Sequence, residues 1–147
     1  MNENISLHRA ISADVETLLF LEESTASLTT YASLLDTEKL LNEINQKVTY
    51  LIKNDNEIVG SLKYTITDDT AQISRVIIHP DFQHQGIGRK SMELILEESN
   101  HIKKIWLVAH LHNSRAVSLY LSLDFSIESW HDNYYGSEPR IILSLVK

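Results

Sequence analysis

Residues 5–9 alternate, with Ile5, Leu7 and Arg9 starting a short first strand. Ser12 is placed to cap a helix from Ala13, which sets Val15, Leu18 and Leu19 on one face. Asp36 or Thr37 opens a second helix, where Leu40, Leu41, Ile44 and Val48 recur at helical spacing. Residues 48–53 turn extended, and Asp55-Asn56 makes a turn into a strand over 57–67. Asp68-Asp69 makes another turn, into a strand over 71–78, so the middle of the chain predicts an antiparallel meander. From Gly86 the period becomes helical, with Gly88, Ser91, Met92, Ile95 and Ser99 on one face. In 104–110, Ile105, Leu107 and Ala109 alternate with Trp106, Val108 and His110. A short helix over 114–123 then aligns Ala116, Leu119, Tyr120 and Leu123. Residues 125–130 and 140–146 read as two last strands joined by a loop. The order β-α-α-β-β-β-α-β-α-β-β predicts an α+β or mixed α/β sheet.

Composition narrows the class. At 147 residues with 43% hydrophobic and 22% charged residues, the chain predicts one domain, 1–147, with its own core. No apolar run approaches the roughly 20 residues that span a bilayer, and no secretory signal is visible. The absence of cysteine removes disulfides and thiolate chemistry and fits a cytoplasmic protein. With 13 Lys and Arg against 20 Asp and Glu, the net charge of -7 argues against nucleic acid as a partner. No membrane partner is expected either. No His, Asp and Glu cluster has metal spacing, since His110-x-His112 lacks a third ligand, so no metal is expected.

Two of the four glycines fall in Gln83-His84-Gln85-Gly86-Ile87-Gly88-Arg89-Lys90, after a strand and at a helix start. Amide N–H groups there, with the positive helix end and two cationic side chains, suit a phosphate or pyrophosphate. The P-loop pattern fails, because position 83 is Gln and Arg follows Gly88. The dinucleotide fingerprint fails at Ser91. Read alone, the segment is equally a plain helix-initiating loop.

Two motifs at a fixed separation add more. Val76-Ile77-Ile78-His79-Pro80-Asp81-Phe82 leads into Gln83-His84-Gln85-Gly86-Ile87-Gly88, and Asn113-Ser114-Arg115-Ala116-Val117-Ser118-Leu119-Tyr120 precedes Asp124-Phe125. In these segments the chain resembles the GNAT superfamily of acyl-CoA-dependent N-acetyltransferases, and the element order follows that fold from end to end. The resemblance implies a GNAT-like acyl-CoA N-acyltransferase fold and acetyl-CoA as co-substrate. It implies that the backbone of Val76, Ile77 and Ile78 pairs with the pantetheine arm as an added strand. Gln83, His84, Gln85, Gly86, Ile87, Gly88, Arg89 and Lys90 would hold the pyrophosphate. Asn113 would bond near the pantetheine, and Tyr120 would sit by the thioester sulfur. Asp124 stands where the family carries Gly, which implies a left-handed Asp and a small stability cost.

The reaction so implied moves an acetyl group from acetyl-CoA to a primary amine: a peptide N-terminus, a protein lysine or a small molecule. Tyr120 is the candidate acid for the departing sulfur; by spacing alone it is also a core aromatic. An N–H near Ile78 is the candidate oxyanion donor. The Glu positions that branches of the family use as base are Val108 and Gln72 here. Val108, His110 and His112 share a strand face by period two, so His110 is the leading candidate base; a surface or structural role is equally open. Tyr134-Tyr135-Gly136 resembles the acceptor hairpin of peptide N-terminal acetyltransferases, and is equally an ordinary exposed hairpin. Glu22, Glu23 and Tyr31 could form the opposite wall. The relatives are frequently homodimers. The missing carboxylates leave a second reading, a catalytically silent acyl-CoA-binding or regulatory domain.

Overall fold

The computed structural model describes residues 4–25, 35–132 and 139–147. Seven strands form one sheet: β1 (Ile5–Arg9), β2 (Val48–Asn54), β3 (Glu57–Thr67), β4 (Thr70–Ile78), β5 (Lys104–His110), β6 (Ser126–His131) and β7 (Arg140–Val146). Their order is β1-β2-β3-β4-β5-β7-β6. Every neighbouring pair is antiparallel except β4 with β5, which the helical crossover between them makes parallel. The helices are α1 (Val15–Ser24), α2 (Thr37–Gln46), α3 (Ile87–Glu98) and α4 (Ser114–Ser122). The mixed α/β sheet and the GNAT-like element order match the expectation from the sequence.

The sheet buries both faces. On one, Leu18 and Leu21 of α1 and Leu40 and Ile44 of α2 pack with Leu51 and Ile77. On the other, Ile87, Met92 and Ile95 of α3 and Tyr120 of α4 pack with Leu62, Tyr64, Ile73, Ile105, Leu107, Ile141 and Leu143. Alternation along each strand divides its side chains between these layers. Asp36, rather than Thr37, caps α2, accepting the Glu38 and Lys39 N–H groups at 3.0 and 3.2 Å. Ser12 does not cap α1. It lies in a single 3-10 turn, Ser12–Asp14, and the Asp14 carboxylate reaches back to accept the Ile11 N–H at 2.8 Å. An acidic residue so placed satisfies the N–H of the residue before the turn, not the N–H groups further on that a Ser12 cap would have accepted.

One irregularity opens the sheet. Along β3 and β4, Lys63 faces Arg75 while the next residue, Tyr64, faces Ile73, so Ser74 is an extra residue on β4. A bulge bends its strand and increases the local twist. β4 and β5 pair only from Thr70↔Lys104 to Ile73↔Leu107, and the pairing stops where the bulge begins. Beyond it the strands diverge. The bulge also resets which face each β4 side chain takes. Ile73 shares the α3 face with Tyr64, whereas Arg75 shares the α1 face with Lys63. There Nε and Nη2 of Arg75 donate to the two carboxylate oxygens of Glu22 at 2.9 and 2.5 Å.

Candidate active site

The divergence of β4 and β5 opens a cavity of about 580 Å³, lined on its strand sides by residues 74–78 and 108–110. Past the bulge the β4 backbone keeps β3 on one side and, among the described residues, meets no strand on the other. Which of its groups face the gap is set by register. The His79 N–H donates to the Val59 carbonyl at 2.8 Å, one residue beyond the Gly60↔Ile78 pair. Gly60↔Ile78 is therefore a non-hydrogen-bonded pair, and the polar groups of Ile78 turn from β3 toward the gap. Val76, two residues back, does the same. Ile77 does not: it lines the cavity, but its N–H and carbonyl belong to the ladder with Ser61. Of the three residues expected to pair with an extended arm, two offer backbone groups to it. The Ile78 carbonyl presently accepts the Gln83 side-chain amide at 3.0 Å.

β4 leads through a 3-10 turn, Pro80–Phe82, to the start of α3. The loop needs two left-handed residues, His84 at φ 66° and Gly86 at φ 79°. Gly86 takes that conformation at no steric cost and is the residue preceding the helix. Gly88 differs. Its φ is not positive, and a Cβ added there would meet only Leu119 Cδ2, at an ordinary 3.7 Å. Glycine in a helix costs roughly 1 kcal/mol against alanine. Among the described residues nothing requires glycine there, so what its small size provides is room on the cavity side, which Gly88 lines. That space lies beside the first N–H groups of α3, where an anion is favoured by both the donors and the helix dipole. The turn thus fits a pyrophosphate in donors, charge and room. Gln83, His84, Gly86, Ile87, Gly88 and Arg89 line the cavity; Gln85 and Lys90 do not. The Gln85 side chain points its amide at the Asp81 carbonyl, at 3.5 Å, and Lys90 lies a turn into the helix. Arg89 donates to Ser122 Oγ on α4.

α4 closes the cavity's far wall. Asn113 precedes it and lines the cavity; its Oδ1 accepts the Ala116 N–H at 3.3 Å, so the cap engages the oxygen and the amide nitrogen is the group suited to a ligand. Tyr120 is 8% exposed, packs its ring on Phe125 at 6.0 Å between centroids, and lines the cavity. It is both a core aromatic and a cavity residue.

His110 is the last residue of β5, 7% exposed, on the cavity wall. His112 does not continue its strand face, because β5 ends at His110 and the chain turns there. Instead the His112 N–H donates to His110 Nδ1 at 3.0 Å. That bond selects the neutral tautomer with its proton on Nε2.

Three arginines of the lining are not marked as site residues by the sequence: Arg75, Arg115 and Arg140. The available signal was a charged residue within a strand pattern at Arg75 and at the start of an apolar one at Arg140. Tyr31 and the segment 133–138, which holds Tyr134, Tyr135 and Gly136, lie outside the described residues. Glu22 is buried against Arg75, and Glu23 is exposed on α1. Among the described residues no group of three or more His, Asp or Glu is placed to hold a metal ion, and no helix is long and apolar enough to cross a membrane.

Comparison with known proteins agrees with this geometry. The sequence profile described as "Acetyltransferase (GNAT) family" matches residues 15–125. The [ribosomal protein bS18]-alanine N-acetyltransferase of Escherichia coli K12 is 34% identical over 83 residues, covering 52% of this chain and 56% of that protein. The chain thus spans a little over half the length of this first group of curated relatives. The protein of that name from Haemophilus ducreyi is 31% identical over 117 residues, covering 72% of this chain and 79% of its own. Among solved structures, the E. coli ribosomal-protein-S18-alanine N-acetyltransferase superposes with a TM-score of 0.84 at 21% identity, over 97% of this chain and 93% of that one. An N-acetyltransferase from Thermoplasma acidophilum in complex with coenzyme A gives 0.73 at 22% identity, over 97% and 99%. At those identities the superpositions show the fold alone. The profile match covers most of the chain, and the chain belongs to the acetyltransferase (GNAT) family.

Proposed function

We propose that this protein transfers an acetyl group from acetyl-CoA to a primary amine, directly, with both substrates bound. The observation that carries the reading is the edge of β4 past the bulge, which among the described residues has no strand beside it and runs into a helix start whose second glycine lines the cavity. Val76 and Ile78 would bond the pantetheine arm, the amides from His84 to Arg89 would hold the pyrophosphate, and Asn113 would bond the arm from α4. Acetyl-CoA supplies an activated acyl group on a good leaving sulfur. The carbon–sulfur bond breaks as the carbon–nitrogen bond forms, one proton leaves the amine, and one goes to the sulfur. Tyr120 is the donor for the sulfur. A free alkyl amine, with a pKa of roughly 10.4, is mostly protonated at neutral pH. Its proton leaves to water at the cavity mouth, since Val108 and Gln72 carry no carboxylate and His110 Nδ1 is engaged. The relatives are named [ribosomal protein bS18]-alanine N-acetyltransferases, and the one amine an alanine can offer is its α-amine, which supports such a group as acceptor.

Calorimetry with coenzyme A is the first test. Binding is expected, weakened at least tenfold by Arg89→Glu, together with free-thiol release from acetyl-CoA on an amine panel. No detectable binding overturns the reading. Tight binding without turnover on any acceptor supports the second reading, a silent acyl-CoA-binding domain, which the missing carboxylates at 72 and 108 favour.

A further inference from the structure

Two cavities lie one after the other along β4 and β5, and their linings differ in charge. The larger, opened by the bulge, is lined among the described residues by four arginines and no Asp or Glu. The smaller, of about 350 Å³, is lined by Asp68, Asp69, Gln72, Trp106 and three threonines, with no Lys or Arg.

Strand register builds the smaller cavity. Thr65, Gln72 and Trp106 are direct cross-strand partners in one row, Thr67 and Thr70 belong to the next, and the Asp68-Asp69 turn joins β3 to β4 beyond them. Such partners share a face. Ile73, Ile105 and Leu107, which alternate with Gln72 and Trp106, pack with α3, so the row faces the α1–α2 side. There α1 packs on β3 and β4 and α2 on β2, while Trp106 on β5 stays partly exposed. Nearby charges are met in pairs: Asp69 lies 3.8 Å from Lys103 Nζ, and Lys104 pairs with Glu128 at 2.7 Å. Among the described residues, no protein group hydrogen-bonds or counters the charge of the Asp68 carboxylate, and none bonds the Gln72 amide or the Trp106 indole N–H. An aromatic surface with a free carboxylate and neutral oxygens around it suits a cation, and the net charge of -7 favours its approach.

The place of this cavity ties it to the reaction. Coenzyme A, with its pyrophosphate at the α3 start and its arm along Ile78 and Val76, aims the thioester at the closed end of the gap, beside Ser74 and Val108. The acceptor amine has to reach that point. Trp106 stands two residues from Val108 on the same face of β5, about 7 Å away, and the row that ends at the Asp68 turn is about 13 Å away.

We propose that the acceptor carries a second, cationic group roughly 7–13 Å from the amine that is acetylated, and that Trp106, with Asp68 and Gln72, binds it. This rests on the acetyl-transfer reading and narrows its substrate class. The cation can belong to a basic side chain near the third position of a peptide or to the far amine of a polyamine; the chemistry is shared.

The test has a turnover arm and a binding arm. Thiol release compares the amide of Ala-Ala-Arg with that of Ala-Ala-Gln, and spermidine with butylamine. Calorimetry compares the N-acetylated forms of the two tripeptide amides on the protein, alone and saturated with coenzyme A. A preference of about fivefold or more for the cationic form is expected in both arms, carried by KM and shrinking as salt is raised. Asp68→Asn should bring the preference to within twofold, with coenzyme A affinity unchanged as the check on folding. Asn accepts the left-handed conformation that residue 68 takes at φ 57°, so the turn is kept. Trp106→Leu, which removes the aromatic surface, should lower the preference as well. A preference confined to the peptides, or to spermidine, identifies the source. Equal use of the cationic and neutral members of both pairs, or a preference that survives both variants, overturns the inference. Loss of coenzyme A binding and of all turnover instead overturns the acetyl-transfer reading, and the calorimetric comparison on the protein alone then decides separately whether the smaller cavity takes a cation.

Discussion

Tyr120 and Asp124 show how much a single short helix end carries. Asp124 N–H donates to the Leu121 carbonyl and Phe125 N–H to the Tyr120 carbonyl, each at 3.1 Å, with Asp124 at φ 73°. This is the Schellman closure, completed by the Phe125 ring against Tyr120. The left-handed Asp was legible from the sequence, because a family glycine is replaced just where a helix must stop. Glycine has no Cβ to strain there, so Asp124→Gly should stabilise the protein by about 0.5–1 kcal/mol, or about 2–4 °C in Tm. Thermal unfolding checks this, and a lowered Tm contradicts it. The same closure fixes where Tyr120 stands. If its hydroxyl protonates the departing sulfur, Tyr120→Phe should lower kcat by about 10²-fold while coenzyme A affinity holds within twofold. Equal kcat would return Tyr120 to a packing role. Arg140 was not legible in this way: one charged residue opening an apolar strand has no period that marks its partner row.

The strands and helices themselves were legible, because each follows a hydrophobic period of two or of about three and a half residues. The opening between β4 and β5 was not. It comes from one extra residue, Ser74, and a bulge is a relation between two strands that no single segment's alternation displays. A second such relation lies behind it. Along β2 and β3, Ile52 faces Gly60 while Lys53 faces Ile58, which makes Val59 the extra residue. Gly60, next to it, lies so close to β4 that an added Cβ would stand 2.2 Å from the Ile77 carbonyl oxygen. Backbone, unlike a side-chain tip, cannot step aside. Gly60→Ala should therefore cost about 2–3 kcal/mol, at the upper end for overpacking. It should also weaken coenzyme A binding severalfold, because displacing β4 misplaces the Val76 and Ile78 groups. Urea unfolding and calorimetry on the variant test both parts; a loss of stability with unchanged affinity would show that the β4 edge does not bind the ligand.

At the scale of the whole molecule, the α1–α2 layer is pinned to the sheet by buried charge as well as by its apolar cluster. Lys63 of β3 is 1% exposed, and its Nζ donates to Glu43 Oε1 of α2 at 2.6 Å, while Lys47 donates to the other oxygen at 3.4 Å. Burial pushes the Glu43 carboxyl up, but the Lys63 hydrogen bond and charge, with those of Lys47, outweigh it and hold it below its ordinary 4.5. A carboxyl depressed in the folded state adds stability that is complete above its unfolded value and is lost as pH falls through the folded one. Stability should therefore hold from neutral pH down to about 5 and decline below that. Glu43→Gln leaves the Lys63 charge buried without its counter-ion, at a cost of about 2–4 kcal/mol at pH 7, somewhat under the figure for a fully buried pair because Glu43 is 22% exposed. Below the folded value both proteins carry a neutral group at 43, so the gap between them must close. Urea unfolding of the two proteins from pH 7 to pH 3 measures it directly. A gap that stays constant across that range would mean that Glu43 adds no pH-dependent stability and that the layer is held by Leu18, Leu21, Leu40 and Ile44 alone.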